Sequence, residues 1–332
     1  MSIIFSIIMP TYNSGNTIAY SLDSVKNQNF DLNCIECLVI DGGSSDNTVE
    51  IAEKYQFVKV IHNKKRLPEN AKKIGMENAS GSYIIKMDSD EAFKNPDSLA
   101  LRLKAFSIFK NAHLLVADRL SYIPLSINKG VSGNYSNICG DPFTFFIYRN
   151  SSSILKTYKK CIKEKTDDGI YLLDFSDSKT RPIADGGTTT VELSGFSGEE
   201  ISDITFACSV SDIILDRDNC CICIEGDEIE HRSKAGFRQY LKKLRFRVIN
   251  NIFNKEESGF SSRKVNKLYK KYFFPLYTLS FIFPLADSVI LALRYRDITM
   301  LLHIFYCYYT CILIAVNMLI KILRIERYNS EY

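Results

Sequence analysis

Four short apolar runs open the chain, spaced so that a helix fits between successive members: Phe5-Ser-Ile-Ile-Met-Pro10, Glu36-Cys-Leu-Val-Ile-Asp41, Val58-Lys-Val-Ile-His62 and Tyr83-Ile84-Ile85. Each is rich in β-branched residues and stops at a polar turn, which predicts strands. Between them the apolar positions fall at helical spacing. Ile18, Leu22 and Val25 make one stripe, Val49 and Ala52 sit on a second helix with Asp46 as its expected N-cap, and Ala71, Ile74 and Gly75 mark a third that stops near Gly81. Strands alternating with helices predict an α/β fold: a mixed, mostly parallel sheet flanked by helices.

The pattern changes at the C-terminal end. Phe273 to Leu293 and Thr299 to Leu323 are both predominantly apolar, each near the roughly 20 residues that cross a bilayer. Pro275, Pro284 and Asp287 interrupt the first, while the second carries His303, Asn317 and Lys321. The basic stretch before them, with Lys321 at the end of the second and Arg324 and Arg327 beyond it, favours cytoplasmic flanks, whereas Arg294 and Arg296 would fall in an outer loop. A hairpin dipping into one leaflet accommodates those arginines better than two full crossings. The expected organisation is a catalytic domain over 1–231, basic amphipathic helices over 232–271 and a hydrophobic hairpin over 272–325.

Composition adds two limits. The 332 residues carry a net charge of only +4, but Arg232 to Lys271 is dense in Lys and Arg, which points to an anionic surface. There Arg238, Lys242 and Arg245 alternate with Phe237, Tyr240, Leu241 and Leu244 at helical spacing. Beside two apolar segments a membrane is the simpler partner, and no nucleic acid is expected. No zinc role is expected of the ten cysteines, and Cys220, Cys221 and Cys223 lie in an Ile-rich run that reads as a buried strand. The chain opens on a strand pattern without a basic leader, so reduced thiols and a cytoplasmic catalytic domain are expected.

Ligands of such sheets bind at the carboxyl ends of the strands. Here those ends read Pro10-Thr11-Tyr12-Asn13, Asp41-Gly42-Gly43-Ser-Ser-Asp46 and Asp88-Ser89-Asp90. Asp41 offers a carboxylate acceptor for an imide N–H or a ribose hydroxyl, and the glycines after it let a backbone approach closely. Asp88 and Asp90 share one side of a strand tip at the period of two. Hard carboxylate oxygens suit Mg²⁺ or Mn²⁺ bound together with a substrate phosphate. There is no Gly-x-Gly-x-x-Gly after the first strand and no P-loop, so dinucleotide oxidoreductases and P-loop kinases are excluded.

Taken in order, Ile8-Met-Pro-Thr-Tyr-Asn13, Val39-Ile-Asp-Gly-Gly-Ser-Ser-Asp-Asn-Thr48, Asn70-Ala-Lys-Lys-Ile-Gly75 and Gly81-Ser-Tyr-Ile-Ile-Lys-Met-Asp-Ser-Asp90 resemble the family 2 glycosyltransferases of GT-A fold. The resemblance implies a nucleotide-sugar donor (UDP- or GDP-sugar), with Pro10, Thr11, Tyr12, Asn13, Asp41, Gly42, Lys72 and Asp88 lining its site. It implies a metal on Asp88 and Asp90. Lys72 stands where many relatives have arginine, keeping the charge without the bidentate fork. Later motifs, Gly140-Asp141-Pro142, Ala184-Asp185-Gly186-Gly187, Ser202-Asp203 and Glu230-His231, resemble a membrane-associated branch with C-terminal hydrophobic helices, and add His231 to the metal site. Gly195-Phe196 followed by Asp203 resembles the segment carrying the general base, with Ser202 where Glu is usual; Glu199 and Glu200 are its rivals. His62 and His113, on or near apolar runs, read as structural.

The expected reaction is inverting: a carboxylate takes the acceptor hydroxyl's proton while that oxygen attacks the anomeric carbon opposite the departing diphosphate. The membrane segments make the expected acceptor lipid-linked or a glycan built on such a lipid. The competing reading is a non-catalytic membrane scaffold on a degenerate transferase fold.

Overall fold

The computed structural model describes residues 2–64, 68–123, 131–149, 153–178, 188–200, 210–232, 236–253 and 269–323. The chain divides into two compact units, one of residues 1–123 and 151–232 and the other of 124–150 and 233–332. Residues 124–150, which the sequence reading places in the catalytic domain, thus belong to the C-terminal unit.

The first unit is built on one mixed sheet of ten strands. Strands β1 (Phe5–Thr11), β2 (Ile35–Asp41), β3 (Val58–His62) and β4 (Tyr83–Lys86) are the four expected runs, parallel in the order β3-β2-β1-β4. Helices α1 (Ile18–Lys26), α2 (Thr48–Ala52) and α3 (Pro68–Asn78) connect them. The pleat divides β1 between two cores. Phe5, Ile7 and Met9 join Ile18, Leu22 and Val25 of α1 on one side. Ile8 joins Leu38, Ile40, Ile84 and Ala71 of α3 on the other. A Cβ added to Gly75 would lie 2.3 Å from Ile8 Cγ2, so only glycine lets α3 approach the sheet this closely.

The far half of the sheet is mixed. It contains β5 (Glu91–Phe93), β6 (Leu114–Leu120), β7 (Ile162–Lys165), β8 (Ile170–Asp174), β9 (Thr190–Glu192) and β10 (Cys220–His231). Strand β9 runs antiparallel between β4 and β6, and β10 runs parallel to β6. Strand β10 begins with the cysteine run, where Cys221 and Cys223 are fully buried as expected. Midway it breaks register between Ile224 and Glu228, with Gly226 at φ 75°. Beyond this bulge its tip pairs with β5, opposing His231 to Glu91.

Helix α4 (Ser98–Ile108) sends Arg102 into the interior, where the guanidinium is fully buried. It donates to Thr188 O and Thr190 Oγ1, both at 2.7 Å, and to Asp227 Oδ2 at 2.6 Å. Burial pushes the Asp227 carboxyl up, and Arg102 pulls it back. This pair ties α4 to the bulge of β10 and to the start of β9.

The second unit is helical. Helices Gly133–Cys139, Pro142–Tyr148, Phe237–Phe253, Phe274–Leu279, Ile282–Tyr295 and Leu302–Ile322 account for most of its described residues. Phe146, Ile147, Phe274, Tyr277 and Cys307 form its core. The second apolar segment lies in a 25-residue helical run, Ile298–Ile322, long and apolar enough to cross a membrane. The first is broken: Tyr269–Leu279 and Ile282–Tyr295 meet at 90°, with Phe281 at φ 59° in the bend. Apolar side chains stay outside, among them Leu279 at 69%, Ile282 at 71% and Leu293 at 75% exposed. Inside this unit a polar chain crosses the helices. Tyr135 Oη lies 2.6 Å from His303 Nδ1, and His303 Nε2 lies 3.0 Å from Tyr277 Oη. Tyr277 in turn donates to Asp287 at 2.6 Å, and Arg149 donates to the same carboxylate.

Candidate functional site

Parallel pairing puts the ends of β1 and β2 side by side, with Thr11 opposite Asp41. The loops after them are stitched together. Asn13, at φ 50°, receives the Ser45 N–H on its Oδ1 at 2.9 Å and donates its own N–H to Ser44 Oγ at 2.8 Å. Gly42 N–H donates to Thr11 O at 2.9 Å. Tyr12 stands out from this seam, 53% exposed.

Asp41 is nearly buried, and its carboxylate shapes the turn that follows. Oδ2 accepts the Gly43 and Ser44 N–H groups at 2.9 and 3.0 Å, and Oδ1 accepts the Ser44 hydroxyl. A carboxylate has about four acceptor positions, so one remains for a ligand. Asp46 is not the N-cap of α2; that position is Asn47. It instead accepts the Gly15 and Thr48 N–H groups, fastening the first loop to the second. The Thr48 hydroxyl bond holds the Asp46 carboxyl below its usual range.

The third strand end joins the same seam, since Ser14 Oγ and Ser89 Oγ lie 2.8 Å apart. Glu91, almost fully buried, accepts the Asp88 N–H at 3.1 Å and fixes the turn. Because β5 follows at once and pairs with β10, His231 arrives beside the acidic tip, with Nε2 3.3 Å from Asp90 Oδ2. Asp88 does not complete a cluster with them: among the described residues no group of three His, Cys, Asp or Glu side chains is arranged to hold a metal ion. Lys72 is half-buried on α3.

Two groups at this tip escape sequence reading. Tyr20 of α1 donates to Glu230, and the Arg232 guanidinium carbon sits 3.2 Å from the Tyr20 ring centroid. Burial and the Glu230 bond push the Tyr20 hydroxyl up to about 12. Tyr20 and Arg232 lie 212 positions apart by their numbering, and only the adjacency of Arg232 to His231 hints at a role.

The segment bearing the candidate base is anchored at its start. Arg217 lies 3.7 Å over the Phe196 ring and donates to Gly195 O at 3.2 Å. His113, bonded to Asp218 at 2.8 Å, packs edge-on against Phe196, the structural role expected of it. Ser197 and Glu200 form a reciprocal capping box: the Ser197 N–H donates to Glu200 Oε2 at 2.8 Å, and the Glu200 N–H to Ser197 Oγ at 3.3 Å. The Ser-x-x-Glu spacing was its available signal. The Ser197 N–H holds the Glu200 carboxyl below its usual range. Glu200 is therefore occupied as a cap, while Asp203, with Ala184 to Gly187, lies outside the described residues. Asp141 of the Gly-Asp-Pro motif, in the second unit, caps the helix Pro142–Tyr148 through Thr144 N–H at 2.8 Å, and Arg247 lies 3.4 Å away.

Several known proteins are similar to this chain. The chain is 30% identical over 134 residues to the poly(ribitol-phosphate) beta-N-acetylglucosaminyltransferase TarS of Staphylococcus aureus, a match spanning 39% of this chain and 22% of TarS. It is 37% identical over 97 residues to the minor teichoic acid biosynthesis protein GgaA of Bacillus subtilis, spanning 27% of this chain and 22% of GgaA. The chain thus spans under a quarter of either relative. Among solved structures, the mannosyltransferase PcManGT of Pyrobaculum calidifontis, in complex with GDP-Man and Mn2+, is similar with a TM-score of 0.56 at 14% identity, covering 94% of this chain and 88% of that one. That likeness shows the GT-A fold. Residues 6–108 match the family model of Glycosyl transferase family 2, so that stretch of the chain is similar to the glycosyltransferases of that family.

Proposed function

We propose that this chain transfers a sugar, with inversion, from a UDP- or GDP-sugar to a lipid-linked or glycan acceptor at the cytoplasmic face of a membrane. The observation that carries the donor side is the seam of three strand ends, which gathers Thr11, Tyr12, Asn13 and Asp41 beside Asp88 and Asp90. In this reading the exposed Tyr12 ring and the remaining acceptor position of Asp41 receive the nucleoside, and Lys72 faces the phosphates.

The acidic tip fits a divalent cation. Asp90 and His231 would hold Mg²⁺ or Mn²⁺, with Asp88 beside them and donor phosphate oxygens completing the shell, as hard cations with few protein ligands require. Bound there, the cation would neutralise charge developing on the leaving diphosphate. The base is Asp203: it takes the acceptor hydroxyl proton as the acceptor oxygen bonds to the anomeric carbon and the bond to diphosphate breaks. Glu200, held by Ser197 and Arg217, orders the start of that segment.

The exposed apolar side chains of the C-terminal unit support the membrane side of the reading, since soluble monomers rarely expose apolar patches beyond a few hundred Å². The names of TarS and GgaA support an acceptor among cell-surface polymers. The test is a panel of sugar nucleotides screened for protection of the purified full chain against thermal unfolding. Protection by one UDP- or GDP-sugar, strengthened by Mn²⁺, is the expected result; none by any member would overturn the proposal.

A further inference from the structure

We infer that Arg232 grips the leaving diphosphate of the donor, an assignment that rests on the nucleotide-sugar reading above. Four observations place a restrained and incompletely paired guanidinium at the acidic tip. First, the Arg232 main-chain N–H donates to Asp90 O at 2.8 Å, so its position is locked to the residue that faces His231. Second, its guanidinium carbon lies 3.2 Å from the Tyr20 ring centroid, a contact that restricts rotamer freedom before any ligand arrives. Third, the nearest carboxylate pairs with it loosely: Glu230 Oε2 is 3.8 Å from Nη2, beyond hydrogen-bond length, because Glu230 takes the Tyr20 hydroxyl instead. Fourth, Arg232 Nε is shut off from water and has no protein acceptor among the described residues, although a third of the side chain is exposed.

An arginine closing a strand tip for structural reasons alone would be expected to spend its donors on that tip. This one lies against a ring, interacts with the Tyr20 hydroxyl, is held by its backbone, and leaves its Nε without an acceptor among the described residues. A planar fork of N–H groups matches the paired oxygens of a phosphate. The same seam brings the loop after β1 to this tip through Ser14 and Ser89, so the end of the site that receives the diphosphate is where Arg232 stands. Tyr20 and Glu230 act as positioning residues: the ring holds the guanidinium in place, and Glu230 is kept from neutralising it fully.

The test compares binding of UDP and GDP with binding of uridine and guanosine, by calorimetry on the full chain in EDTA. The variants are Arg232→Gln, Arg232→Lys and Tyr20→Phe. Arg232→Gln should weaken the preferred nucleoside diphosphate about 10-fold or more, the scale of one lost hydrogen bond to a charged group, and leave the matching nucleoside unchanged. Arg232→Lys should recover part of the loss, having charge without the fork. Tyr20→Phe, which keeps the ring but frees Glu230 to pair with the guanidinium, should weaken the diphosphate less than Arg232→Gln does. Equal weakening of nucleoside and diphosphate, or none of either, would overturn the inference. If Arg232→Gln lowers the melting temperature sharply, Arg232→Lys decides by the same diphosphate-to-nucleoside contrast. Should the wild-type chain bind neither diphosphate nor nucleoside, the donor reading falls; should it bind both and Arg232→Gln lose neither selectively, only the assignment of Arg232 falls.

Discussion

Arg102 Nη2 and Asp227 Oδ2 meet at 2.6 Å with both side chains out of water. The pair joins α4 to the bulge that turns the last turn of β10 toward β5, so the placement of His231 depends on a contact made in the interior. Removing one partner of a buried pair strands the other charge, which costs about 3–5 kcal/mol. Asp227→Ala should therefore lower the melting temperature strongly. The double variant Arg102→Met/Asp227→Leu should recover much of the loss, and a double variant no more stable than Asp227→Ala would show that the pair is not the cause.

Asp90→Ala and His231→Ala should abolish the stimulation of donor binding by Mn²⁺ and leave the melting temperature of the unliganded protein within a few degrees. Asp88→Ala should have a smaller effect, since Asp88 does not complete a metal-holding group with the other two. Metal titrations of donor affinity in the three variants check the order, and an unaffected Asp90→Ala would remove the metal from this tip.

Asp203→Asn should keep donor affinity and lose about 10²- to 10⁴-fold in turnover, as expected for a missing general base. Glu200→Gln should be nearly silent, because an amide oxygen can still accept the Ser197 N–H in a capping box. If the two variants exchange these phenotypes in steady-state assays, the base is Glu200.

Gly75→Ala should destabilise by about 1–3 kcal/mol through overpacking against β1, given the 2.3 Å approach to Ile8 Cγ2. Ile8→Ala in the same chain should relieve the clash. Chemical denaturation of both variants measures the coupling; simple additivity would show that the helix moves away without strain.

Full-length protein should sediment with membranes. Leu279→Glu, Ile282→Glu and Phe283→Glu together should release it without loss of nucleotide binding. Truncation after Lys271 is a poorer experiment than the sequence suggests: it removes Phe274, Tyr277 and Cys307, which pack on Phe146 and Ile147. Wild-type protein found in the soluble fraction without detergent would remove the anchor.

The strands and helices of the first half were legible because parallel strands buried on both faces leave continuous apolar runs, and their carboxyl ends announce the site. What escaped were contacts between distant positions. Arg102 reads as a solvated helix residue until the bulge of β10 supplies Asp227, and Tyr20 reads as one more helix residue until Glu230 and Arg232 reach it. Asp46 stands one residue before the true N-cap, Asn47, yet its side chain still takes the first helical N–H, that of Thr48. The first apolar segment showed its prolines, and the 90° break at Ser280 and Phe281 falls where Pro284, four residues on, denies Ser280 O its helical N–H and would clash with that carbonyl. The division at residues 124–150 left no mark in composition.

That division sets a timetable for synthesis. Phe146 and Ile147 leave the ribosome long before Phe274, the first of the C-terminal residues in their apolar core. At about 5–20 residues per second the 128 residues between Phe146 and Phe274 take roughly 6 to 26 s to make. Through that interval the aromatic-rich helix Pro142–Tyr148 waits without its core while the strands on either side of it in sequence pair. A nascent chain arrested between Arg232 and Phe274 should therefore be the species most in need of a chaperone or a lipid surface.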